Sequence, residues 1–350
     1  MFRSKRPKRI FRKPETKIRF PVSLIILILL GALFWIIPTV GDFPREGFVP
    51  GTFTFVPTPP TSAPTPIPTK TLLPKPNSDV HGGRIIFTCT RGAYNQLCMV
   101  NRDGSGLFQL TTENSHNYYP SFAPQGGAIV FSSNRYGFFD LYLYILNTST
   151  LYQLTHEIGN AFSPDFSPDG EQIVFGNRTE DGPSSLWIAT RTGDNPRLLF
   201  EGERSIVAAA WAPNGKTIAF AMSINQLQNE FDIFLLDAKG VGEPRRLNTG
   251  LLGISGSLDW SSESRYLLIV AGPFGDKDIF RYDVETGNIL RLTAGGNNNS
   301  ASYSPEGEYI AFNSLRNADQ ADIYIMRADG SGEKQITDNP EPDWQPQWEP

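Results

Sequence analysis

The chain has 350 residues and is acidic overall, with 31 Lys/Arg, 36 Asp/Glu and a formal net charge of −5. Residues 1–19 hold nine Lys/Arg and one acid, whereas residues 83–350 hold 19 Lys/Arg and 32 Asp/Glu, a net of −13. This acidic region argues against nucleic acid as a partner, because nucleic-acid binding needs a basic face. Two cysteines and three histidines are too few for a closed structural zinc site.

The first predicted element is a transmembrane helix over residues 20–40. Residues 22–37 contain one polar side chain, Ser23, and the flanking apolar residues extend the run to about the 20 residues that span a bilayer. The basic tail, residues 1–19, precedes this run, so the positive-inside rule places the tail in the cytoplasm and the rest outside. We therefore expect a single-pass protein of the bacterial cell membrane. The alternative is a cleaved signal peptide, although this apolar run is longer than usual for one.

Residues 41–82 are predicted to form a disordered linker. Eight prolines interleaved with Thr and Ser fall within residues 57–76. Such a segment favours extended polyproline II and forms neither helix nor sheet. It indicates a spacer between the membrane and the domain that follows.

The strongest pattern is a repeat that begins at residue 83. Residues 166–170 read Phe-Ser-Pro-Asp-Gly, a turn that leads into an apolar strand. Related turns recur every 43–49 residues, at 122–126, 211–215, 260–264 and 303–307, and the chain stops in a sixth copy at 348–350. Each copy reads as four short strands in about 45 residues, which is typical of a propeller blade.

The repeat predicts an all-β, six-bladed β-propeller over residues 83–350. Blade one begins with its second strand, at Arg84, while the C-terminus supplies a spare first strand at residues 345–349. We expect this spare strand to pair into blade one and close the ring, which removes the exposed ends of the array. A linear solenoid, the alternative, needs capping repeats and gives the displaced strand no purpose.

The repeat resembles a known family. Residues 133–137 read Ser-Asn-Arg-Tyr-Gly, and an Asp-Leu-Tyr or Asp-Ile-aromatic element stands at 140–142, 232–234, 278–280 and 322–324. These elements resemble the WD40-like repeat of TolB-type propellers, although TolB itself is soluble and carries a second globular domain. The same repeat forms the propeller of prolyl-oligopeptidase-type peptidases, but the sequence lacks their Gly-x-Ser-x-Gly elbow.

Cys89 and Cys98 fall on the second and third strands of blade one, which form a hairpin. A disulfide is chemically allowed outside the cytoplasm. Two small buried thiols are the alternative. The sequence leaves both interpretations open.

The loops that lead into the first strands of the blades are the predicted ligand-binding region, because they converge on the central funnel and differ from blade to blade. The predicted binding residues are Asn117, Tyr118, Tyr119, Asn160, Arg204, Ser255, Asn298, Asn299, Asp343 and Trp344. Their amide, aromatic and acidic groups suit a polar ligand or peptide.

The sequence favours a non-catalytic binding or scaffold module that engages a protein, peptide or glycan through one face of the ring. No catalytic residue, metal ligand or cofactor is predicted, because no nucleophile, paired carboxylate or calcium-loop spacing is recognisable. One alternative is a lyase or hydrolase that acts on cell-wall or sugar substrates with funnel residues or a bound metal. Another is a purely structural role in a membrane complex.

Overall fold

The computed structural model describes residues 83–179, 182–225, 230–317 and 320–350. The predicted basic tail (1–19), transmembrane helix (20–40) and linker (41–82) lie outside the described residues. Within the described ranges, no helix is long and apolar enough to cross a membrane. These ranges form six four-stranded antiparallel sheets, so the predicted six-bladed, all-β propeller is confirmed.

Each blade has an inner strand at the centre of the ring and a second strand paired with it. The inner strands are β4 (Asn117–Phe122), β8 (Asn160–Phe166), β12 (Ile206–Trp211), β16 (Leu258–Trp260), β20 (Asn298–Tyr303) and β24 (Asp343–Trp348). The second strands are β1 (Arg84–Arg91), β5 (Ala128–Tyr136), β9 (Gln172–Arg178), β13 (Thr217–Ser223), β17 (Tyr266–Ala271) and β21 (Tyr309–Ser314). Successive inner strands contact each other around the whole ring, including β20 with β24 and β24 with β4.

The third and outer strands complete each blade. The third strands are β2 (Tyr94–Asn101), β6 (Phe138–Ile145), β10 (Ser185–Thr190), β14 (Phe231–Asp237), β18 (Asp278–Asp283) and β22 (Asp322–Arg327). The outer strands are β3 (Phe108–Gln109), β7 (Thr150–Gln153), β11 (Arg197–Phe200), β15 (Arg245–Arg246), β19 (Ile289–Arg291) and β23 (Lys334–Gln335). The outer strands are the shortest, which limits the exposed sheet edge at the rim.

The ring closes as the sequence predicts. Blade one has the strand order β24-β1-β2-β3, so its inner strand comes from the C-terminus. Ile85 pairs with Trp348 and Cys89 pairs with Asp343, which places the start of this strand two residues before the predicted position. Trp348 is 5% exposed and belongs to the apolar cluster between blades six and one.

The core lies between neighbouring blades. The phenylalanine near the middle of the second strand has 0% exposure in five of the six blades: Phe87, Phe131, Phe175, Phe220 and Phe312. Full burial of such a side chain contributes about 1.5–3 kcal/mol. Both faces of every blade are covered, so these strands read as apolar runs.

The turns between inner and second strands are held by their own polar side chains. In blade three, the Ser167 hydroxyl donates to Asp169 Oδ1 at 2.6 Å, and Glu171 N donates to the same oxygen at 3.0 Å. These hydrogen bonds lower the pKa of Asp169. Gly170 adopts φ = 72°, a left-handed conformation that glycine reaches without strain.

Cys89 and Cys98 form a disulfide with a Cα–Cα distance of 5.8 Å. Cys89 pairs with Gln96, and Cys98 pairs with Phe87, so the disulfide runs diagonally across the β1–β2 ladder. Both cysteines are at most 1% exposed. Of the two interpretations that the sequence left open, the structure shows the disulfide.

Candidate functional site

The predicted ligand face is the end of the ring where each outer strand leads into the next inner strand. Three of the predicted binding residues, Asn117, Asn298 and Asp343, are the first residues of β4, β20 and β24. All three have 0% exposure. They therefore present no surface to a ligand in this structure.

Asn117 is bound within its own neighbourhood. Its Nδ2 donates to Gln96 Oε1 at 3.0 Å, and its Oδ1 accepts from Arg135 Nη2 at 3.3 Å. Gln96 Oε1 also accepts from Thr111 Oγ1, which in turn accepts from the backbone N–H of Leu97. This buried network ties the start of blade two to the third strand of blade one and to the segment that follows its outer strand.

Asn298 repeats the arrangement between blades five and six. Its Nδ2 donates to Thr293 Oγ1 at 3.0 Å, and its Oδ1 accepts from Arg316 Nη2 at 2.9 Å. Asp278, from the repeated Asp-Ile-Phe element, accepts from Thr293 Oγ1 at 2.9 Å and pairs with Arg291. The repeated aspartate therefore serves the blade itself.

Asp343 is the corresponding residue at the ring closure. Its side chain is a carboxylate, whereas blades two and six have the amides of Asn117 and Asn298 at this position. It accepts from Asn339 Nδ2 at 2.6 Å and from Arg91 Nη1 at 3.3 Å. Burial and the charge of Asp343 raise the pKa of the neighbouring Asp322 to about 6. Asn117, Asn298 and Asp343 are thus buried within hydrogen-bond networks of the ring, and their role in binding stays a prediction.

Tyr118 lies in a row of partly exposed aromatic rings across blades one and two. Its ring stacks on His116 at 6.0 Å and 8°, and His116 contacts Tyr94 at 5.5 Å between ring centroids. Phe139 lies on the other side of Tyr118, at 5.8 Å. The Tyr118 hydroxyl accepts from Asn95 Nδ2 at 2.6 Å, which fixes the central ring.

Two further aromatic residues stand at the tip of the β5–β6 hairpin. Tyr136 is 76% exposed and Phe138 is 52% exposed, on either side of Gly137. Neither residue was predicted to bind a ligand, because residues 133–137 match a turn of the family repeat. The sequence signal that could have identified them is a pair of aromatic residues on either side of a turn glycine. We define the aromatic patch as the row and this hairpin tip together, with Tyr94, His116, Tyr118, Tyr136, Phe138 and Phe139.

The remaining predicted binding residues are all half-buried. They are Tyr119, Asn160, Arg204, Ser255, Asn299 and Trp344. Asn160 Oδ1 accepts from the backbone N–H of Phe139 at 3.1 Å, so it helps to fix the backbone of one residue of the aromatic patch. Ser255 Oγ lies 3.4 Å from Asn299 Oδ1, across the boundary of blades five and six. Their role in binding stays a prediction.

The inner strands bulge where they line the central channel. Tyr119, Ser163, Ser300 and Gln345 occupy equivalent bulges and have φ of 54°, 46°, 38° and 55°. Such left-handed conformations cost non-glycine residues about 1–3 kcal/mol, and they concentrate at functional sites. All four residues line a narrow cavity of about 70 Å³.

Two carboxyl groups that the sequence analysis missed, Asp165 and Asp259, line the same cavity. Asp165 accepts from the backbone N–H of Trp211 at 2.7 Å, and Asp259 accepts from that of Tyr303 at 2.6 Å. Trp211 and Tyr303 belong to the inner strands of the following blades. Each carboxyl group thus joins two neighbouring blades through a hydrogen bond.

Burial raises the pKa of Asp165 to about 6 and that of Asp259 to about 8. The charge of Asp165 adds to the rise in the pKa of Asp259, so the two carboxyl groups are electrostatically coupled. Within the described ranges, no group of three or more His, Cys, Asp or Glu side chains is placed to hold a metal ion.

The repeat matches proteins of known type. Residues 112–243 match the family model described as the TolB beta propeller domain (PD40). A segment of 82 residues is 34% identical to the Tol-Pal system protein TolB of Francisella tularensis subsp. mediasiatica, and it spans 23% of this chain and 19% of that protein. The propeller is of the TolB type. Residues 203–343 of this TolB-type propeller also match the model described as eukaryotic translation initiation factor eIF2A.

Longer alignments place the TolB-type propeller among similar folds. An uncharacterized protein of Agrobacterium fabrum, Atu1656, is 28% identical over 209 residues, which cover 47% of this chain and 69% of that protein. The crystal structure of TolB from Acinetobacter baumannii superposes with a TM-score of 0.69 at 22% identity, covering 77% of this chain and 67% of that one. A chain of the nidogen/laminin complex gives 0.64 at 11% identity, covering 77% and 98%. At these identities the solved structures show the fold alone.

Proposed function

We propose that this protein is a membrane-anchored, extracytoplasmic binding module whose propeller engages a protein or peptide through the aromatic patch. The observation that carries the proposal is the patch itself, with Tyr136 and Phe138 exposed on the face where the inner strands begin. Exposed contiguous apolar surface marks interaction sites, and aromatic anchors supply much of the binding energy at protein interfaces.

The proposed location is supported by two features. The basic tail, residues 1–19, and the apolar run at residues 22–37 have the pattern of a single-pass anchor with its N-terminus in the cytoplasm. The Cys89–Cys98 disulfide fits an oxidising compartment, because structural disulfides are rare in reducing ones.

Relatives support a protein ligand over a glycan. TolB is named as a protein of the Tol-Pal system, a name that places it among protein partners. We extend to this chain only the expectation of a protein partner, since the aligned segment spans 19% of that TolB.

The central channel is a poor candidate for a catalytic or small-molecule site. Its cavity of about 70 Å³ is far smaller than the roughly 300–1,000 Å³ of small-molecule sites. Asp165 and Asp259 also accept backbone hydrogen bonds from the next blades, which occupies oxygens that an acid–base pair would use. The aromatic patch is therefore the better candidate for the functional surface.

Site-specific photo-cross-linking tests the proposal. A benzophenone amino acid is placed at Phe138 in the full chain, expressed in its own membrane, and cross-linked products are identified by mass spectrometry. Phe274, 80% exposed at the equivalent hairpin of blade five, is the matched control. We expect a discrete protein adduct from position 138 that is absent from position 274.

The adduct is then tested by direct binding to the purified partner. Replacing Tyr136 and Phe138 with Ser should weaken binding by about tenfold or more, because buried aromatic anchors carry 2 kcal/mol or more each. Phe274→Ser should leave affinity unchanged. Equal adducts at both positions, or a glycan-containing adduct at position 138, would contradict the proposal.

A further inference from the structure

A second surface lies at the other end of the ring, in a groove between blades six and one. The eight residues of β2, Tyr94–Asn101, separate the aromatic patch at one end of blade one from Arg102 at the other. At about 3.3 Å per residue, such a strand is roughly 25 Å long. The groove has a volume of about 620 Å³ and is lined by both blades.

Strand register explains which side chains of blade six line the groove. Tyr309 pairs with Arg327, and Ile325 pairs with Lys334, on adjacent strands of the sheet. Side chains two residues apart on one strand point to the same face, as do directly paired residues. Arg327, Lys334 and the Tyr309 ring therefore share the face that looks toward blade one.

Blade one supplies the opposite wall and a third cation. The Arg102 guanidinium lies over the Tyr309 ring, with Cζ 4.1 Å from the centroid, and only 3.9 Å separates its Nη1 from Glu306. Lys334 Nζ donates to the Asp103 backbone carbonyl at 3.1 Å, which joins the two blades. Both contacts hold cationic groups at the groove.

The charge of this groove is opposite to that of its surroundings. Residues 83–350 carry a net charge of −13, yet three cations and one carboxylate, Asp103, line the groove. With Glu306, which pairs with Arg102, the local balance is +1. One oxygen of Asp103 is engaged by Ser105 N and Oγ in its own turn. In blade five, the position of Arg327 is held by Asp283, which pairs with Arg265. At this position blade five therefore carries the opposite charge.

We propose that this groove binds a phosphate-bearing ligand. Arginine offers a planar fork that matches phosphate oxygens, and lysine adds a compact charge beside it. Three cationic groups at a site of net positive charge attract a phosphate dianion more strongly than they attract a single carboxylate. The shared chemistry covers free phosphate monoesters and the phosphodiesters of lipid headgroups or glycerol-phosphate polymers.

Calorimetric titration of the full-length protein in a non-ionic detergent tests this site. The probes are inorganic phosphate, glycerol 3-phosphate and glycerophosphoglycerol, with sodium acetate as the control at equal ionic strength. We expect saturable binding of at least one phosphate probe and none of acetate. Monoester binding alone would identify a free phosphate group, and equal diester binding would identify a headgroup or polymer.

Variants assign the binding to the groove. Arg327→Ala and Lys334→Ala, both at exposed side chains, should each weaken phosphate binding by about tenfold, as expected for hydrogen bonds to charged groups. Arg245, exposed at the position of blade four that corresponds to Lys334, is the matched control, and Arg245→Ala should change affinity less than about twofold. Melting temperatures verify that each variant is folded. Binding that survives both groove variants, an equal loss in the control, equal heats for acetate and phosphate, or no binding of any probe would overturn the proposal.

Discussion

Blades one and five have the same four-stranded sheet but differ in how the chain connects it. Blade five is continuous, and a short turn at residues 261–265 joins its inner strand β16 to β17. In blade one, the paired strands β24 and β1 come from opposite ends of the domain, so Arg84 and Glu349 meet across 265 residues. The inner strand is thus held to the second strand by a covalent turn in blade five, and by non-covalent contacts alone in blade one.

The contacts that replace this connectivity are concentrated in blade one. The Cys89–Cys98 disulfide lies in this blade and joins β1, the strand that receives β24, to β2. Arg84 and Glu349 form a two-pronged ion pair, with Nε–Oε2 and Nη2–Oε1 distances of 2.6 and 2.5 Å. Where the ring is closed by a detached strand, the blade that receives this strand therefore holds additional stabilising contacts.

Removing the closing strand should have the largest effect. Deletion of residues 343–350 removes Trp348 from the core and exposes the edge of β1, which should cost at least about 5 kcal/mol and abolish cooperative melting. Thermal unfolding by circular dichroism of the full chain measures this. Deletion of Pro350 alone, which is exposed, is the control and should melt normally. An unchanged transition in the longer deletion would refute closure by β24.

Loss of the disulfide should have the next largest effect. The loop that it closes spans nine positions, for which chain-entropy estimates give about 2–3 kcal/mol. Replacing both cysteines with Ala should lower the free energy of unfolding by this amount, as measured by urea denaturation. Wild-type protein unfolded under reducing conditions should match the variant. If reduction leaves the wild-type midpoint unchanged, the disulfide does not reinforce blade one.

The ion pair at the closure should contribute less. Glu349 is 5% exposed, so Glu349→Gln leaves the Arg84 guanidinium without its charged acceptor and should cost about 1–2 kcal/mol. Glu306→Gln breaks an exposed pair with Arg102 at 3.9 Å and should change stability very little. Equal midpoints for the two variants in urea would show that this pair adds nothing to the closure.

The fold could be predicted because the repeat places the same chemistry at the same position in blade after blade. In five of the six second strands a phenylalanine, such as Phe131 or Phe220, is buried between blades, and that requirement is visible in the sequence. The closure was predictable for a related reason. One strand is missing at Arg84, and one is spare at the C-terminus, as the β24–β1 pairing confirms.

The candidate site could be predicted only in part. Asn117 and Asn298 looked like variable loop residues, but their hydrogen bonds to arginine and threonine side chains make them part of the blades. Those contacts depend on tertiary structure that residue spacing does not show. Asp165 and Asp259 were missed because a strand sequence does not tell whether a polar residue faces solvent or a closed channel.

Blades one and five also differ in the side chain that each places in the central channel. Asp259 of blade five and Gln347 of blade one precede the equivalent aromatic residues Trp260 and Trp348, and both line the channel. The pKa of Asp259 is about 8 in the folded protein, against about 4 for an unfolded chain. Between these pH values the folded protein holds a proton that the unfolded chain has lost, so stability falls as the pH rises.

Asp259→Asn should remove this pH dependence, because its amide oxygen can still accept from Tyr303 N without ionising. We expect the variant to gain about 1 kcal/mol on the wild type for each pH unit between pH 5 and pH 8, measured by urea midpoints across that range. Asp165→Asn should lower the pKa of Asp259, since the charge of Asp165 helps to raise it, so the loss of stability should be smaller and should end at a lower pH. Asp329→Asn, in an exposed turn, is the control and should parallel the wild type. A wild-type stability that rises through this range in parallel with Asp259→Asn would show that the channel carboxyl is already ionised, and blades one and five would then not differ in the proton they hold.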